Sequence, residues 1–189
     1  GSGDMVSGGS GDDVLHAVDG ASSIYAGAGR DRIENAGSAT TVYAEGVDVV
    51  NAATGARPTV INVEIDPDAG GSIRIEGSEA FVQRVQSEIE FLRASPNGQR
   101  MLAEFDATAA DRGNTVTIKE LANEHNGYAM PAGDGVTWAD VQITGGRAGP
   151  GVDTDIRYNP SFHMDAFPAP VVVLYHEMSH AYNFVNGSL

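Results

Sequence analysis

The spacing of apolar residues follows two different patterns along this chain of 189 residues. In the first third, one or two apolar residues recur every nine residues between stretches of Gly, Asp, Ser and Ala. From about residue 59 the rhythm changes to short alternating stretches and to helical spacing. This change predicts a repetitive segment over residues 1–63, followed by an α+β domain over residues 64–189.

The second part reads as strands and helices in alternation. Ser78 is a predicted N-cap for a helix that ends at the Ser-Pro-Asn-Gly sequence of residues 95–98, and a second short helix is expected around Met101–Phe105. Residues 119–151 are rich in Gly, Asn, Pro and Ala, and we expect them to be loop-like, with only residues 136–143 hinting at structure. Alternating apolar residues predict strands at residues 60–65, 72–76, 115–118 and 152–160.

The N-terminal segment repeats Gly, Asp and an apolar residue at a spacing of 18 residues. Residues 8–16 align with residues 26–34 on the pattern G-x-G-x-D-x-U, where U is apolar, and a weaker copy follows at residues 45–50. The glycines allow the left-handed backbone of a tight turn, and the Asp supplies oxygen ligands. This pattern resembles the nonapeptide repeat of RTX proteins, and the resemblance implies a parallel β-roll that binds calcium between stacked turns.

The alternate nonapeptides keep the apolar position but have Ser22 and Thr40 in place of the Asp. Since two nonapeptides complete one turn of such a roll, we predict calcium on one edge only, with Asp13, Asp31 and Asp48 as side-chain ligands. A metal-free Gly-rich solenoid or a flexible linker is the alternative. The same stacking predicts two ladders, Ile24–Val42–Val60 and Tyr25–Tyr43–Ile61.

Near the C-terminus, an apolar run leads directly into the sequence His176-Glu177-Met178-Ser179-His180. Residues four apart share one face of a helix, so both imidazoles can reach one cation while Glu177 is free to accept a proton from water. A chance His-Glu-x-x-His occurs in on the order of one chain in a hundred of this size. Prolines just ahead of the run predict a helix from about residue 169 to 185. The motif indicates the zinc-binding helix of a metallopeptidase.

A catalytic zinc normally has three protein ligands and a water, and this motif supplies two. The metzincin extension is excluded, because Asn183 and Asn186 stand where it requires Gly and His. We expect the third ligand either upstream, with His163 and Asp165 as outside candidates, or beyond Leu189. In the second case the domain is incomplete at its C-terminus.

Composition narrows the classes of partner. A formal charge of −15 disfavours nucleic acid and anionic lipid. With 0 cysteines there is neither a disulfide framework nor a thiolate site. The longest apolar stretch, residues 168–174, is too short to cross a bilayer, and the first residues lack the features of a signal peptide. A protein substrate remains as the expected partner, and the oligomeric state is not predicted.

Several segments, in the order 73–77, 81–85, 95–102, 115–118 and 175–182, resemble the NleD-like effector metalloproteases. The resemblance covers about residues 72–183. It implies a zincin-like fold, zinc endopeptidase activity, and secretion by bacteria with delivery into target cells, where the best-known members cleave signalling kinases. It also implies that the third zinc ligand is an acidic residue beyond the zinc helix.

Other residues are secondary candidates. Tyr158, Tyr175 and Tyr182 are candidate donors to the transition-state oxyanion, with core packing as the alternative for each. His16 and His125 are expected on the surface or in loops. The strand at residues 152–160 is predicted either to hold an extended substrate by backbone hydrogen bonds or to be an ordinary edge strand.

Two classes of function therefore stay open. The first is a zinc-dependent endopeptidase, a secreted effector or toxin domain, in which Glu177 acts as the general base. The second is a calcium-stabilised binding or structural module attached to an incomplete zincin fragment. In a third interpretation, the histidines are incidental residues on a core helix.

Overall fold

The computed structural model describes residues 3–17, 20–122, 126–162 and 169–189. These residues form an α+β fold, as the sequence predicts. None of the helices in these ranges is long and apolar enough to span a membrane.

The chain divides into two compact units that are not continuous in sequence. The first unit contains Gly1–Ala69 and Ser87–Arg100, and the second contains Gly70–Gln86 and Met101–Leu189. The boundary predicted after residue 63 stays a prediction.

The first unit contains a roll of short parallel strands. Strands β1, β3, β5 and β7 pair in that order in one sheet, and β2, β4 and β6 pair in the other. Ile24, Ile33 and Val42 are fully buried and form one apolar cluster that draws on both sheets. The strands are β1 (Asp4–Ser7), β2 (Val14–His16), β3 (Ser22–Tyr25), β4 (Arg32–Ala36), β5 (Thr40–Ala44), β6 (Val49–Ala52) and β7 (Thr59–Asn62).

The predicted register of the roll is confirmed. The ladders Ile24–Val42–Val60 and Tyr25–Tyr43–Ile61 both occur in the first sheet. The rings of Tyr25 and Tyr43 stack with their centroids 4.6 Å apart, and the ring of Phe91, which belongs to the same unit, lies 4.5 Å from that of Tyr25. The repeat in the sequence is therefore a repeat in space.

The third turn of the roll is shorter than the others. Arg32 pairs with Val49, an offset of 17 residues (49 − 32), and the register shifts again between Ile33 and Ala36. Asn35 takes up this shift with a φ of 61°. Among non-glycine residues, Asn is one of the few that adopt this left-handed conformation at low cost.

The second unit contains a sheet with the strand order β10-β11-β9-β8. Strands β8, β9 and β11 are parallel, whereas β10 is antiparallel and forms the edge. Helices α1 and α2 have residues in both units. The elements are β8 (Arg74–Glu76), α1 (Glu79–Arg93), α2 (Pro96–Arg112), β9 (Val116–Glu120), β10 (Gly127–Pro131), α3 (Trp138–Val141), β11 (Thr154–Tyr158) and α4 (Pro170–Asn186).

Most of the predicted elements are present, with three differences. The second helix runs from Pro96 to Arg112, longer than expected. The strands predicted at 60–65 and 72–76 lie in different sheets, because β7 pairs with β5 in the roll and β8 pairs with β9. The segment predicted as loop contains the edge strand β10, whereas the short helix α3 lies within residues 136–143, where the sequence hints at structure.

The proposed role of the strand at residues 152–160 is wrong. This strand, β11, pairs with β10 on one side and with β9 on the other, so its backbone hydrogen bonds are already used within the sheet. It is therefore neither a substrate-holding strand nor an edge strand. The two edges of this sheet are β10 and β8.

Candidate metal centres

Helix α4 carries the His-Glu-x-x-His motif on a well-anchored scaffold. It begins with Pro170 at its first turn and ends at Gly187, whose φ of 62° allows its N–H to turn back to the carbonyls of Asn183 and Phe184. The predicted helix of residues 169–185 is confirmed. The helix residues that are buried are Val173, Leu174, Glu177, Met178, Ala181 and Val185.

The two histidines converge on one point. Both side chains are exposed, and the Nε2 atoms of His176 and His180 lie 3.1 Å apart with their rings nearly perpendicular, at 82°. Two nitrogens bound tetrahedrally to one zinc ion at 2.0–2.1 Å would be about 3.3 Å apart. A hydrogen bond between the rings would have the same length, so the geometry fits zinc without requiring it.

Glu177 lies on the neighbouring face of the helix and is 8% exposed. It faces the first residue of the edge strand, since a Cβ atom placed on Gly127 would be 3.4 Å from its Cγ. The helix that carries the motif therefore lies against the edge of the sheet, with the side chain of Glu177 next to the start of β10. The sequence contains no signal for Gly127 apart from the turn-forming pair Asn126-Gly127.

The end of α4 is held by side chains from the rest of the second unit. Asn114 donates from its amide to the carbonyl oxygens of Val185 at 2.9 Å and Pro150 at 3.0 Å. Arg112 and Thr108 bond to the main-chain and side-chain oxygens of Asn186. Asn186, which argued against the metzincin pattern, thus has a structural role at the helix terminus.

Within the described ranges, no group of three His, Cys, Asp or Glu side chains is placed to hold a metal ion. His163 and Asp165, the outside candidates for a third ligand, lie outside the described residues, as does His125. His16 is exposed in β2, opposite Glu34 of β4.

The three tyrosines differ in their positions. Tyr158 is fully buried in β11, whereas Tyr175 and Tyr182 are half-buried on α4. At 100° per residue, Tyr182 is about 140° around the helix from the midpoint of the two histidines, and Tyr175 about 120°. The donor role of Tyr158 or Tyr182 stays a prediction.

A second candidate centre is formed by three aspartates stacked along one edge of the roll. The N–H of Asp13 donates to Oδ1 of Asp31 at 2.8 Å, and the N–H of Asp31 donates to Oδ1 of Asp48 at 2.9 Å. On the sheet that holds the alternate nonapeptides, the hydroxyls of Ser22 and Thr40 lie 3.5 Å apart. The three predicted carboxylates are thus in contact through the main chain.

The aspartate ladder has the character of a cation site. Asp31 is 2% exposed, and its burial raises its pKa. The hydrogen bond from Asp13 lowers the pKa, and the nearby charges of Asp48, Asp13 and Asp12 raise it again. One buried oxygen of Asp13 and one of Asp31 have no hydrogen-bond partner. A bound cation would satisfy both oxygens and favour the charged carboxylates.

Glycines shape the turns that carry these aspartates. Gly27 and Gly29 have φ values of 101° and 145°, and a Cβ atom on either would lie within 2.2 Å of a main-chain oxygen of the preceding turn. Side chains at these positions would therefore push consecutive turns apart.

Comparison with known protein families gives a match in each of the two parts of the chain. The model of a peptidase family described as "Effector protein", the NleD-like family, matches residues 69–189, which is well over half of the chain. The model of the RTX calcium-binding nonapeptide repeat (4 copies) matches residues 7–39. Comparisons with curated proteins and with solved structures found no match. The chain therefore belongs to the NleD-like family of effector peptidases, with RTX calcium-binding repeats ahead of the family segment.

Proposed function

We propose that the second unit is a zinc-dependent endopeptidase of zincin-like fold. The observation that carries this proposal is the convergence of the His176 and His180 Nε2 atoms to 3.1 Å, with Glu177 beside them against the sheet edge. Membership of an effector peptidase family supports the reaction class. The third zinc ligand is then an acidic residue that follows the zinc helix, or one of His163 and Asp165.

Each residue of the motif has one task. His176 and His180 hold the metal, and the buried apolar residues of α4 keep the two rings in place. Zinc, when bound, lowers the pKa of a coordinated water and polarises the scissile carbonyl. Glu177 accepts the proton of the attacking water and returns it to the leaving amine.

The edge strand β10 is the proposed binding site for the substrate backbone. In the described part of the chain, β10 pairs with β11 alone, so its other side is open to a further strand except at Gly127, whose N–H already donates to Oδ1 of Asn126 at 2.8 Å. An extended peptide can pair with such an edge and be recognised through its main chain. Since Gly127 at the start of β10 touches Glu177, a peptide on this edge would pass the general base.

We further propose that the protein is secreted and acts on proteins of a target cell as an effector or toxin. The effector description of the family and the RTX repeats support this interpretation. The substrate class is protein, and the net charge of −15 favours partners with basic surfaces.

Metal analysis and proteolysis test the proposed peptidase. The purified chain is expected to hold one zinc per molecule, and His176→Ala and His180→Ala are expected to lose it, whereas the control His16→Ala keeps it. Glu177→Gln is expected to keep zinc but to lose at least roughly a hundredfold in proteolysis of an unfolded protein substrate. Glu104→Gln, an exposed carboxylate on α2, is the matched control. Full proteolysis by Glu177→Gln, or zinc retained after loss of both histidines, would contradict the proposal.

A calcium-stabilised binding module with an inactive peptidase unit is the second candidate. It is favoured by the absence of a third metal-binding side chain near the two histidines in the described ranges, together with the unpaired oxygens of Asp13 and Asp31. Calcium bound without stoichiometric zinc would select this function over the first.

A further inference from the structure

The two edge strands of the sheet in the second unit have opposite kinds of exposed side chain. On β8 the exposed side chains are those of Arg74 and Glu76, and charges of this kind deter a further strand from pairing with an edge. On β10 the exposed side chains are those of Tyr128 and Met130, at 43% and 44%, and the strand has no charged residue. An uncharged edge with large exposed apolar side chains is typical of a surface that binds another chain.

The backbone of β10 directs alternate residues toward β11 and away from it. The N–H of Asn159 donates to the carbonyl oxygen of Asn126 at 2.8 Å, in the same register as the pairing of β10 with β11. Residues 128 and 130 bond toward β11 as residue 126 does, because main-chain groups alternate in direction along an antiparallel ladder. The residues of β10 whose main-chain groups point outward are therefore Gly127, Ala129 and Pro131.

Among the described residues of β10, Ala129 alone has an outward N–H that a peptide can use. The N–H of Gly127 already donates to Oδ1 of Asn126 at 2.8 Å, and Pro131 has no N–H. A peptide that pairs with this edge is therefore aligned by Ala129, with one peptide residue directly opposite it.

The two faces of β10 offer such a peptide different contacts. On the face next to Glu177, β10 has only the small residues Gly127 and Ala129. On the other face it has Tyr128 and Met130. Side chains of directly opposite residues lie on the same face of a sheet and pack against each other. The two peptide residues that flank the one opposite Ala129 would therefore pack on Tyr128 and Met130.

We propose that Tyr128 and Met130 select substrates that have two large apolar side chains separated by one residue. The inference rests on the proposed peptidase function and names the class of sequence that its binding edge accepts. The residue between the two apolar ones is held through its main chain by Ala129. Because Gly127, which touches Glu177, precedes Tyr128 in the strand, both apolar residues lie on the same side of the cleaved bond.

Peptide binding to Glu177→Gln tests this specificity without cleavage. The probes are fluorescein-labelled peptides of Ser and Ala that contain either Leu-Ser-Leu or Leu-Leu-Ser at their centre. The two peptides have the same composition, but only the first places both leucines on one face of a strand. We expect the Leu-Ser-Leu peptide to bind about tenfold more tightly in fluorescence anisotropy, because it alone buries both leucines on Tyr128 and Met130.

Variants of the edge assign the preference to its residues. Tyr128→Thr and Met130→Thr keep a strand-forming residue without the large apolar side chain, and each should reduce the preference to about threefold. Ile143→Thr removes an exposed apolar side chain of the same unit outside the sheet and should keep the original preference. Ala129→Pro removes the outward N–H and should weaken the binding of both peptides, since Pro is tolerated at the open side of an edge strand. Circular dichroism establishes that each variant is folded.

Equal affinity of Glu177→Gln for the two peptides, or an unaltered preference in folded Tyr128→Thr and Met130→Thr, would overturn the assignment. Undiminished binding by folded Ala129→Pro would overturn the register.

Cleavage of a denatured protein mixture by the unmodified chain separates this specificity from the peptidase function itself. The sequences that it cuts should contain two large apolar residues separated by one, on one side of the cut. Cut sites without such pairs would overturn the specificity and leave the peptidase function standing. A preference for Leu-Ser-Leu without any cleavage would support the recognition edge and contradict the peptidase function.

Discussion

Gly127 of the edge strand lies directly against the side chain of Glu177. A methyl carbon on Gly127 would be 3.4 Å from Cγ of Glu177 and 3.1 Å from the carbonyl oxygen of Arg157. The second distance is shorter than ordinary contacts, so an added side chain must displace one of its neighbours. An added methyl group would press on the main chain of β11 first and would thereby shift the start of β10, against which the side chain of Glu177 lies.

Gly127→Ala is accordingly expected to lower kcat of the peptidase by roughly tenfold to a hundredfold, because small displacements of a catalytic group have effects of this size. Zinc content is expected to be unchanged, since neither histidine is touched. Gly46→Ala, which adds the same methyl group in the first unit at an ordinary contact distance, is the control and should keep the original kcat. A wild-type kcat for folded Gly127→Ala would show that the contact does not position Glu177.

Two glycines of the roll allow the cost of backbone strain to be measured separately from the cost of a steric clash. Gly11 and Gly27 have φ values of 112° and 101°, but a Cβ atom on Gly27 would lie 1.9 Å from the carbonyl oxygen of Gly9, whereas one on Gly11 would meet nothing within 4 Å. Gly11→Ala should therefore cost about 1–2 kcal/mol of unfolding free energy from strain alone. Gly27→Ala should cost clearly more, as measured by denaturant unfolding in calcium-free buffer. Equal losses would mean that the turns separate easily.

The amide of Asn114 is expected to stabilise the last turn of helix α4. Asn114→Ala removes its hydrogen bonds to the carbonyls of Val185 and Pro150, and we expect a loss of about 1–3 kcal/mol. Hydrogen exchange of the amides near the end of α4 should speed up as well. Asn97→Ala, an exposed position, should change stability by less than about 0.5 kcal/mol. Equal hydrogen-exchange protection of α4 in both variants would show that the Asn114 hydrogen bonds do not stabilise the end of the helix.

The tyrosine stack makes the first unit sensitive to alkaline pH. Burial, the proximity of Tyr43 and a hydrogen bond to it raise the pKa of Tyr25 above 10.0. Both folded and unfolded chains keep this phenol protonated below pH 10, so its full contribution to stability is present there. Above that pH the unfolded chain ionises first, and stability falls until the pH passes the folded pKa.

Ultraviolet absorbance of tyrosinate during a pH titration should reveal a late-ionising group that disappears in Tyr25→Phe. The control Tyr128→Phe changes an exposed ring on β10 and should leave the late group in place. If Tyr25→Phe leaves the titration curve unaltered at its alkaline end, Tyr25 is not the shifted group.

The sequence predicts the roll well because its repeat is local. Each turn places the same residue types at the same depth, so the ladder of Ile24 and Val42 follows from their spacing alone. The slip at Asn35 could not be predicted, since it depends on how the shorter third turn meets the second.

The edge strand β10 of the second unit was not predictable in the same way. Strand β10 has the sequence Gly-Tyr-Ala-Met-Pro, which lacks strong alternation and lies between turn residues. Its pairing with β11 is a long-range contact, and that contact also makes β11 an interior strand. The histidine pair follows from helical spacing, whereas the contact of Glu177 with Gly127 exists only in the folded chain.

Because the first unit takes in residues 87–100, no single cut divides this chain into two intact pieces. A fragment that begins at residue 64 keeps Phe91 but lacks the ring of Tyr25 on which it packs. A family segment cut away from its N-terminal repeats would thus expose the apolar ring of Phe91 on α1. Any processing of this protein in nature or in the laboratory must keep residues 87–100 together with the roll, or supply another partner for them.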